Sequence, residues 1–281
     1  MKSFYFIFIL FITNNIYADN NPYYPWIIFD GKETSPRQFE SYKLIIFDSQ
    51  SYPPLKPLLD RNKIILGYLS LNEVQKNRNY FRNTIQSTPK TSQQNPLSQK
   101  QKKLDQHKNW TKLIIEEYLP QMIHRGFHGV LIETLNRSGD SSQHSKQRQT
   151  ELTSTSINLI KTIHYHYPHL KIMLKTGYDV LPAVINDINM VLTDSLFSQY
   201  DFAEKKYSFV NKDKYQQHLQ QLNNLYKKNR KLVIFTLDYW KHSDKSSLRK
   251  IYQTHKTNGF LPYVSEVQLN KVYEEPKRQK Q

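Results

Sequence analysis

Eight short apolar runs divide this 281-residue chain, and stretches with helical patterning separate most of them. Several runs are continuously apolar and rich in β-branched residues, as expected for strands that are buried on both faces. The runs are Trp26–Asp30, Lys43–Asp48, Ile64–Ser70, Gly129–Glu133, Lys171–Lys175, Asn189–Asp194, Leu232–Asp238 and Gly259–Val264. Strands that alternate with helices predict a parallel sheet, and eight of them in a chain of this length predict a single (β/α)8 TIM barrel of the α/β class.

Helices are predicted between these strands, and two polar segments interrupt the pattern. The helical candidates are Trp110–His124, Gln149–Tyr165, Tyr215–Lys228 and Ser246–His255. The polar segments Ser87–Asn109 and Arg137–Gln149 each follow a strand end. They are interpreted as long βα loops, which either shape a substrate cleft or are mobile. Since no internal repeat or domain boundary is evident, residues 19–281 are predicted to form one domain.

The first eighteen residues are typical of a signal peptide. Lys2 supplies a positive charge, Phe4–Ile12 is an apolar run, and Ile16–Ala18 approximates a cleavage site. This run is too short to span a bilayer and suits a signal sequence. We therefore expect residues 1–18 to be removed and the mature protein to be secreted or periplasmic, with a retained N-terminal anchor as the alternative.

The chain carries a formal net charge of +16 and contains no cysteine. The missing cysteine excludes a disulfide framework, a cysteine-ligated metal and a thiol nucleophile. Much of the basic excess lies in predicted loops and helices, so it favours contact with an anionic envelope or matrix over nucleic acid. An extracellular binder of anionic polymer is an alternative that rests on charge alone. No cofactor or metal motif is evident, and we expect a monomer.

Polar and mostly acidic residues stand at or just beyond the C-terminal ends of the predicted strands. In chain order they are Asp30, Asp48, Glu73, Glu133, Lys175, Asp194, Asp238 and Tyr263. In a parallel barrel these ends meet at one mouth, where active sites lie. Any single Asp could cap the following helix. Six carboxylates gathered at one mouth are costly unless they serve hydrogen bonding or catalysis, so this mouth is predicted to be functional.

Glu133 and Asp194, on the fourth and sixth strands, are the candidate catalytic pair. Hydrolysis of a glycosidic bond needs two carboxyl groups, one to protonate the leaving oxygen and one to attack or to activate water. Aromatic side chains near the same ends suit stacking against sugar rings, although such residues more often serve packing. The predicted substrate-binding residues are Asp48, Tyr68, Glu73, Lys175, Asp238, Tyr239 and Tyr263.

Several of these strand ends resemble the motifs of glycoside hydrolase family 114. The run G-Y-L-S-L-N-E (Gly67–Glu73), followed by Arg78, is similar to the family's Y-L-S-x-G-E…R element. Further similar segments are Arg125–Asn136, Leu192–Phe197, Leu237–Tyr239 and Gly259–Ser265, in the family's order. The family contains endo-α-1,4-polygalactosaminidases and resembles the hydrolase domain of the Pel exopolysaccharide system. The resemblance implies a (β/α)8 glycosidase that acts within a galactosamine-containing polysaccharide.

The chain departs from the family pattern at the candidate pair itself. Glu133 stands where the family has Asp, Asp194 stands where it has Glu, and Lys175 replaces the Asn of an N-R-G element. Lengthening one carboxylate by a methylene, about 1.5 Å, while shortening its partner could preserve their separation. A barrel that binds carbohydrate without hydrolysing it is the alternative.

Overall fold

An eight-stranded parallel sheet curls into a nearly closed barrel at the centre of the protein. The structure is a computed structural model that describes residues 21–31, 34–70, 111–133, 143–175 and 177–276. The barrel strands are β1 (Trp26–Phe29), β2 (Leu44–Asp48), β3 (Ile64–Ser70), β4 (Gly129–Glu133), β5 (Lys171–Lys175), β6 (Met190–Asp194), β9 (Val233–Tyr239) and β10 (Leu261–Ser265). The predicted TIM barrel is confirmed.

A short antiparallel hairpin separates β6 from β9 along the chain but not in the sheet. Its strands are β7 (Ser198–Asp201) and β8 (Lys206–Phe209), which pair with each other alone, so that β6 pairs directly with β9. The sequence patterns gave no prediction for this hairpin. Because it follows the C-terminal end of β6, it belongs to the mouth side of the barrel.

Helices connect the strands on the outside of the barrel. They are α1 (Lys56–Leu59), α2 (Leu119–His124), α3 (Gln143–His166), α4 (Leu181–Val184), α5 (Lys212–Lys228) and α6 (Lys245–Thr257). A π-helical turn, Ile114–Tyr118, leads into α2, and a 3-10 turn spans Pro36–Phe39. The four predicted helical regions are confirmed, with shifted ends, whereas the one-turn helices were not predicted. None of the helices in the described ranges is long and apolar enough to cross a membrane.

Caps explain where the two C-terminal helices begin. The side chain of Asn211 accepts the backbone N–H groups of Asp213 and Lys214 at the start of α5. Asp244 accepts the backbone N–H of Ser247 at the start of α6. Each cap satisfies donors that the first helical turn leaves without an intrahelical partner.

Trp26 bridges the two strands that flank the seam of the barrel. Its indole nitrogen on β1 donates to the carbonyl oxygen of Leu261 on β10, at 2.9 Å. The buried ring also packs edge-on against Phe235, with centroids 5.3 Å apart, and against Tyr263 at 5.6 Å. One side chain therefore joins the first and last barrel strands through both packing and a buried hydrogen bond.

Replacing Trp26 with Phe should weaken this seam. The variant keeps an aromatic ring but leaves the buried carbonyl of Leu261 without its donor, so the free energy of unfolding should fall by about 2 kcal/mol. Urea denaturation followed by circular dichroism measures the change. Trp240→Phe is the control, since the indole of Trp240 donates to Asp244 at the half-buried rim. A Trp26→Phe loss no larger than that of Trp240→Phe would contradict the role of the seam bond.

Candidate active site

Five polar side chains meet at the C-terminal mouth of the barrel. They come from consecutive strands of the sheet, where alternate residues point into the barrel. They are Tyr68 on β3, Glu133 on β4, Lys175 on β5, Asp194 on β6 and Tyr239 on β9. The structure thus brings together both predicted catalytic residues and three of the predicted substrate-binding residues.

Lys175 lies between the two candidate catalytic carboxylates. Its Nζ is 3.0 Å from Oε1 of Glu133 and 3.2 Å from Oδ2 of Asp194. The three side chains are only 16%, 21% and 19% exposed, respectively. Burial of so many charges is tolerated because each carboxylate faces the same cation.

Three hydroxyl groups also bind the two carboxylates. The hydroxyl of Tyr68 donates to Oε2 of Glu133. The hydroxyl of Tyr239 donates to Oδ2 of Asp194 at 3.2 Å, and the Ser195 hydroxyl donates to Oδ1 at 3.0 Å. Both carboxylates are therefore oriented before any substrate arrives, which is a requirement for efficient catalysis.

The electrostatics of the cluster keep Lys175 charged and Tyr239 neutral. Burial lowers the pKa of the Lys175 ammonium, but the negative charges of Asp194 and Glu133 outweigh it, and the net pKa is raised above its ordinary value. Burial, followed by the charge of Asp194, raises the pKa of Tyr239 well above 10. Lys175 therefore remains a cation and Tyr239 a hydrogen-bond donor at neutral pH. With both carboxylates ionised, Glu133, Lys175 and Asp194 together carry one net negative charge.

Asp48 and Glu73 are two further predicted substrate-binding residues. Asp48 stands at the mouth end of β2, where its half-buried carboxylate accepts the backbone N–H of Gln50 at 2.9 Å. This contact fits the local turn that any Asp at a strand end can stabilise. Glu73 lies outside the described residues, so its predicted role stays a prediction.

Asp238 and Tyr263, both predicted to bind substrate, lie instead in the interior. Asp238 is fully buried because β9 continues to Tyr239, which turns Asp238 toward the helices and Tyr239 into the barrel. Tyr263 is buried because β10 continues to Ser265, which leaves its ring one layer below the mouth, against Trp26 and Tyr42. In the structure both side chains therefore take part in interior packing and hydrogen bonding, and their predicted contact with substrate stays a prediction.

Asp238 fixes the segment that follows the candidate catalytic Asp194. Its Oδ1 accepts the backbone N–H groups of Phe197, at 2.9 Å, and Ser198. Its Oδ2 lies 2.6 Å from Nε2 of His255, which is also fully buried, on α6. A buried carboxylate with several donors is satisfied, so this arrangement anchors the entry to the β7–β8 hairpin.

Ser195 is a residue of this site that the sequence did not indicate. It has a left-handed backbone, with φ of 53°, in the position that directly follows Asp194. Its N–H donates to the carbonyl of Leu237 at 2.8 Å, while its hydroxyl reaches Asp194. Such a conformation is uncommon for a residue with a β-carbon. The surrounding bonds hold it, and in doing so they direct the Asp194 side chain.

The described part of the chain offers no evident metal centre. Within it, no group of three or more His, Cys, Asp or Glu side chains is arranged to hold an ion.

Comparison with known proteins identifies the family to which this barrel belongs. The sequence model described as glycoside-hydrolase family GH114 matches residues 17–281, which is nearly the whole chain. The chain belongs to glycoside hydrolase family 114. A search of curated proteins found no significant match.

Two solved structures share the fold. The glycoside hydrolase domain of PelA from Pseudomonas aeruginosa has a TM-score of 0.68 at 14% identity, over 89% of this chain and 97% of that one. Ega3 from Aspergillus fumigatus, solved in complex with galactosamine, has a TM-score of 0.54 at 12% identity, over 89% and 94% of the two chains. At such low identities these likenesses establish the barrel fold.

Removing the central ammonium should destabilise the mouth in a pH-dependent way. In the variant Lys175→Met the two carboxylates lose their shared cation, and the free energy of unfolding at pH 8 should fall by about 3 kcal/mol. At pH 4 the loss should be smaller, because one carboxylate can take up a proton and relieve the repulsion. Since the pKa of Lys175 is raised, its own contribution in the unsubstituted protein is fully present below 10.5 and is lost only at higher pH.

The matched control for this variant is Lys56→Met. Lys56 pairs with Asp60 on α1 at 2.8 Å, but both side chains are mostly exposed. That pair should contribute less than about 1 kcal/mol at either pH. Chemical denaturation at pH 4 and pH 8 measures both variants, and an equal loss for Lys175→Met at the two pH values would contradict the account.

Proposed function

We propose that this protein is a secreted or periplasmic glycoside hydrolase that cleaves within a galactosamine-containing polysaccharide. Glu133 and Asp194 form the catalytic pair, and Tyr68, Lys175 and Tyr239 hold that pair and border the reacting sugar. The observation that carries the proposal is the placement of both carboxylates on one mostly buried ammonium at the mouth of a family 114 barrel.

The exchange of Asp and Glu between the two strands has not separated the pair. Although Glu133 is the longer and Asp194 the shorter of the two exchanged side chains, both reach the same Nζ of Lys175. This supports a working pair over the alternative of a barrel that binds carbohydrate without hydrolysis. The alternative remains an outcome of the experiment described below.

The spacing of the pair supports a double-displacement mechanism. Oε1 of Glu133 and Oδ2 of Asp194 can be no farther apart than the two bridging contacts laid end to end, 3.0 Å and 3.2 Å. This limit on the two facing oxygens includes the separation of about 5–5.5 Å that is typical of retaining pairs, in which no water has to fit between the sugar and the second carboxylate. A pair this close suits direct attack of a carboxylate on the anomeric carbon, with retention of configuration.

Asp194 is the better placed of the two to attack as an anion. Its oxygens receive hydrogen bonds from Ser195 and Tyr239 and lie beside the Lys175 ammonium, so the side chain is held in one orientation. Glu133 acts as the acid, for which it must first take up a proton; it then protonates the leaving oxygen and later deprotonates the incoming water, the exchange of roles that a retaining mechanism requires.

The charge of the mouth supports an amino sugar as substrate. Before Glu133 takes up the proton that it donates, the three charged residues of the cluster carry one negative charge in excess, which favours the approach of a cationic galactosamine over an acidic sugar. The family resemblance points to galactosamine polymers, and the structure of the relative Ega3 was solved in complex with galactosamine.

The cellular location and the surface partner are proposed from the sequence. Residues 1–18 have the pattern of a signal peptide, although they lie outside the described ranges. The net charge of +16 would favour attachment to an anionic envelope or matrix and local retention of the enzyme near its polymer.

Removing either carboxylate should abolish hydrolysis while preserving the fold. Glu133→Gln and Asp194→Asn should each lower the rate of release of reducing ends from partially deacetylated α-1,4-galactosaminoglycan at least about 100-fold. Reducing-end assays and circular dichroism measure the two properties in parallel.

Asp179→Asn serves as the control for this experiment. Asp179 follows β5 on the mouth side, but its exposed carboxylate accepts the hydroxyl of Thr153 on α3, outside the cluster. Its substitution should leave turnover within about twofold. Undiminished turnover in both carboxylate variants would remove the assignment, whereas sugar binding without turnover in the unsubstituted protein would establish the binding alternative.

A further inference from the structure

The hairpin that follows Asp194 carries a continuous row of aromatic rings. Tyr200 on β7 faces Tyr207 on β8 across the ladder, with ring centroids 4.8 Å apart. Phe202, in the turn, lies 5.1 Å from Tyr200, and Tyr207 lies 6.3 Å from Trp240. Phe209 completes the row by stacking on Trp240 at 4.5 Å. We call these five residues the aromatic strip.

Core packing does not account for the whole of the aromatic strip. Phe202 is 75% exposed and Phe209 is 37% exposed, and they are two of the four large apolar side chains that stand exposed in the described ranges. Tyr200, Tyr207 and Trp240 are partly exposed beside them. Contiguous exposed apolar surface of this kind is typical of binding sites.

The aromatic strip is joined through the backbone to the strands that carry the catalytic cluster. Trp240 directly follows Tyr239, whose hydroxyl contacts Asp194. Asp238 also ties the start of the hairpin, through the backbone of Phe197 and Ser198, to the strand that carries Tyr239. The row of rings is therefore anchored to the same two strands that hold Asp194 and Tyr239. If the reacting unit of a polymer lies at the carboxylates, units farther along the polymer can reach this surface.

The rings have the chemistry that an amino-sugar chain requires. Flat aromatic faces offer apolar contact to the C–H faces of sugar rings, and they attract cations through their electron-rich surfaces. One ring of the strip already has such a partner within the protein, since Nζ of Lys250 lies 4.5 Å from the centroid of Phe209, the ring that also stacks on Trp240. The ammonium of a galactosamine unit presents the same kind of charge at comparable size.

We propose that the aromatic strip is a remote subsite that binds amino-sugar units of the polysaccharide several positions away from the cleaved bond. This proposal rests on the proposed function, because it assumes that the polymer chain passes the carboxylate cluster. The aromatic strip gives the enzyme a preference for long chains over short ones. It acts on binding and leaves the chemistry at the carboxylates unchanged.

The test compares variants on oligosaccharides of different length. Phe202→Ala and the double variant Phe202→Ala/Phe209→Ala should lower kcat/KM on long oligogalactosamines by about fivefold to tenfold, through a higher KM with kcat unchanged. Hydrolysis of the shortest cleavable oligomers should be unchanged. Tyr165→Ala is the matched control, because Tyr165 is 81% exposed near the end of α3, just before β5 and so on the opposite face of the barrel. It should behave as the unsubstituted protein on every length.

A binding measurement separates the failure of this proposal from the failure of the proposed function. In the background of Glu133→Gln, calorimetry with the same long and short oligomers reports affinity without turnover. A loss of affinity for long oligomers alone on adding Phe202→Ala supports the subsite, whether or not the unsubstituted protein hydrolyses them. Unchanged affinity, or an equal loss for short and long oligomers, overturns it. Sedimentation that shows a dimer dissociated by Phe202→Ala would also overturn it, since the strip would then be a contact between copies of the chain.

Discussion

The pairing of Lys175 with Glu133 and Asp194 is the interaction on which the mouth of this barrel depends. Three mostly buried charges are costly separately, and removing any one would leave its partners without compensation. The parallel register makes the arrangement possible, because Glu133 and Lys175 are direct partners on adjacent strands and Asp194 ends the next one. The same contacts that permit burial also fix the two carboxylates at a short separation, so stability and proposed catalysis share one origin.

The barrel and the core of the site could be predicted from the sequence because both follow from strand ends. Continuous apolar runs identify buried parallel strands, and closure of such a sheet brings their C-terminal ends to one mouth. Glu133, Lys175 and Asp194 are the final residues of β4, β5 and β6, so their inward placement needed no knowledge of the loops. What the sequence could not supply was the contact itself, since an ammonium shared by two carboxylates depends on side-chain geometry.

Errors arose where a strand continued beyond its apparent end or where a turn lacked the usual residues. Strand β9 continues to Tyr239, and because side chains alternate along a strand, Tyr239 faces the barrel and Asp238 faces the helices. The β7–β8 hairpin escaped prediction because its turn contains no glycine or asparagine; Lys205 supplies the left-handed residue, with φ of 51°. The available signal was Asp201, whose carboxylate accepts the backbone N–H groups of Ala203 and Glu204.

The central claim, that Glu133 and Asp194 act as a closely spaced catalytic pair, is tested most directly by the configuration of the first product. Proton NMR during hydrolysis of an α-1,4-linked oligogalactosamine distinguishes the two anomers before mutarotation mixes them. A pair held on one ammonium predicts that the new reducing end appears first as the α anomer. An initial β anomer would contradict the account, because it would require room for a water between the sugar and the second carboxylate.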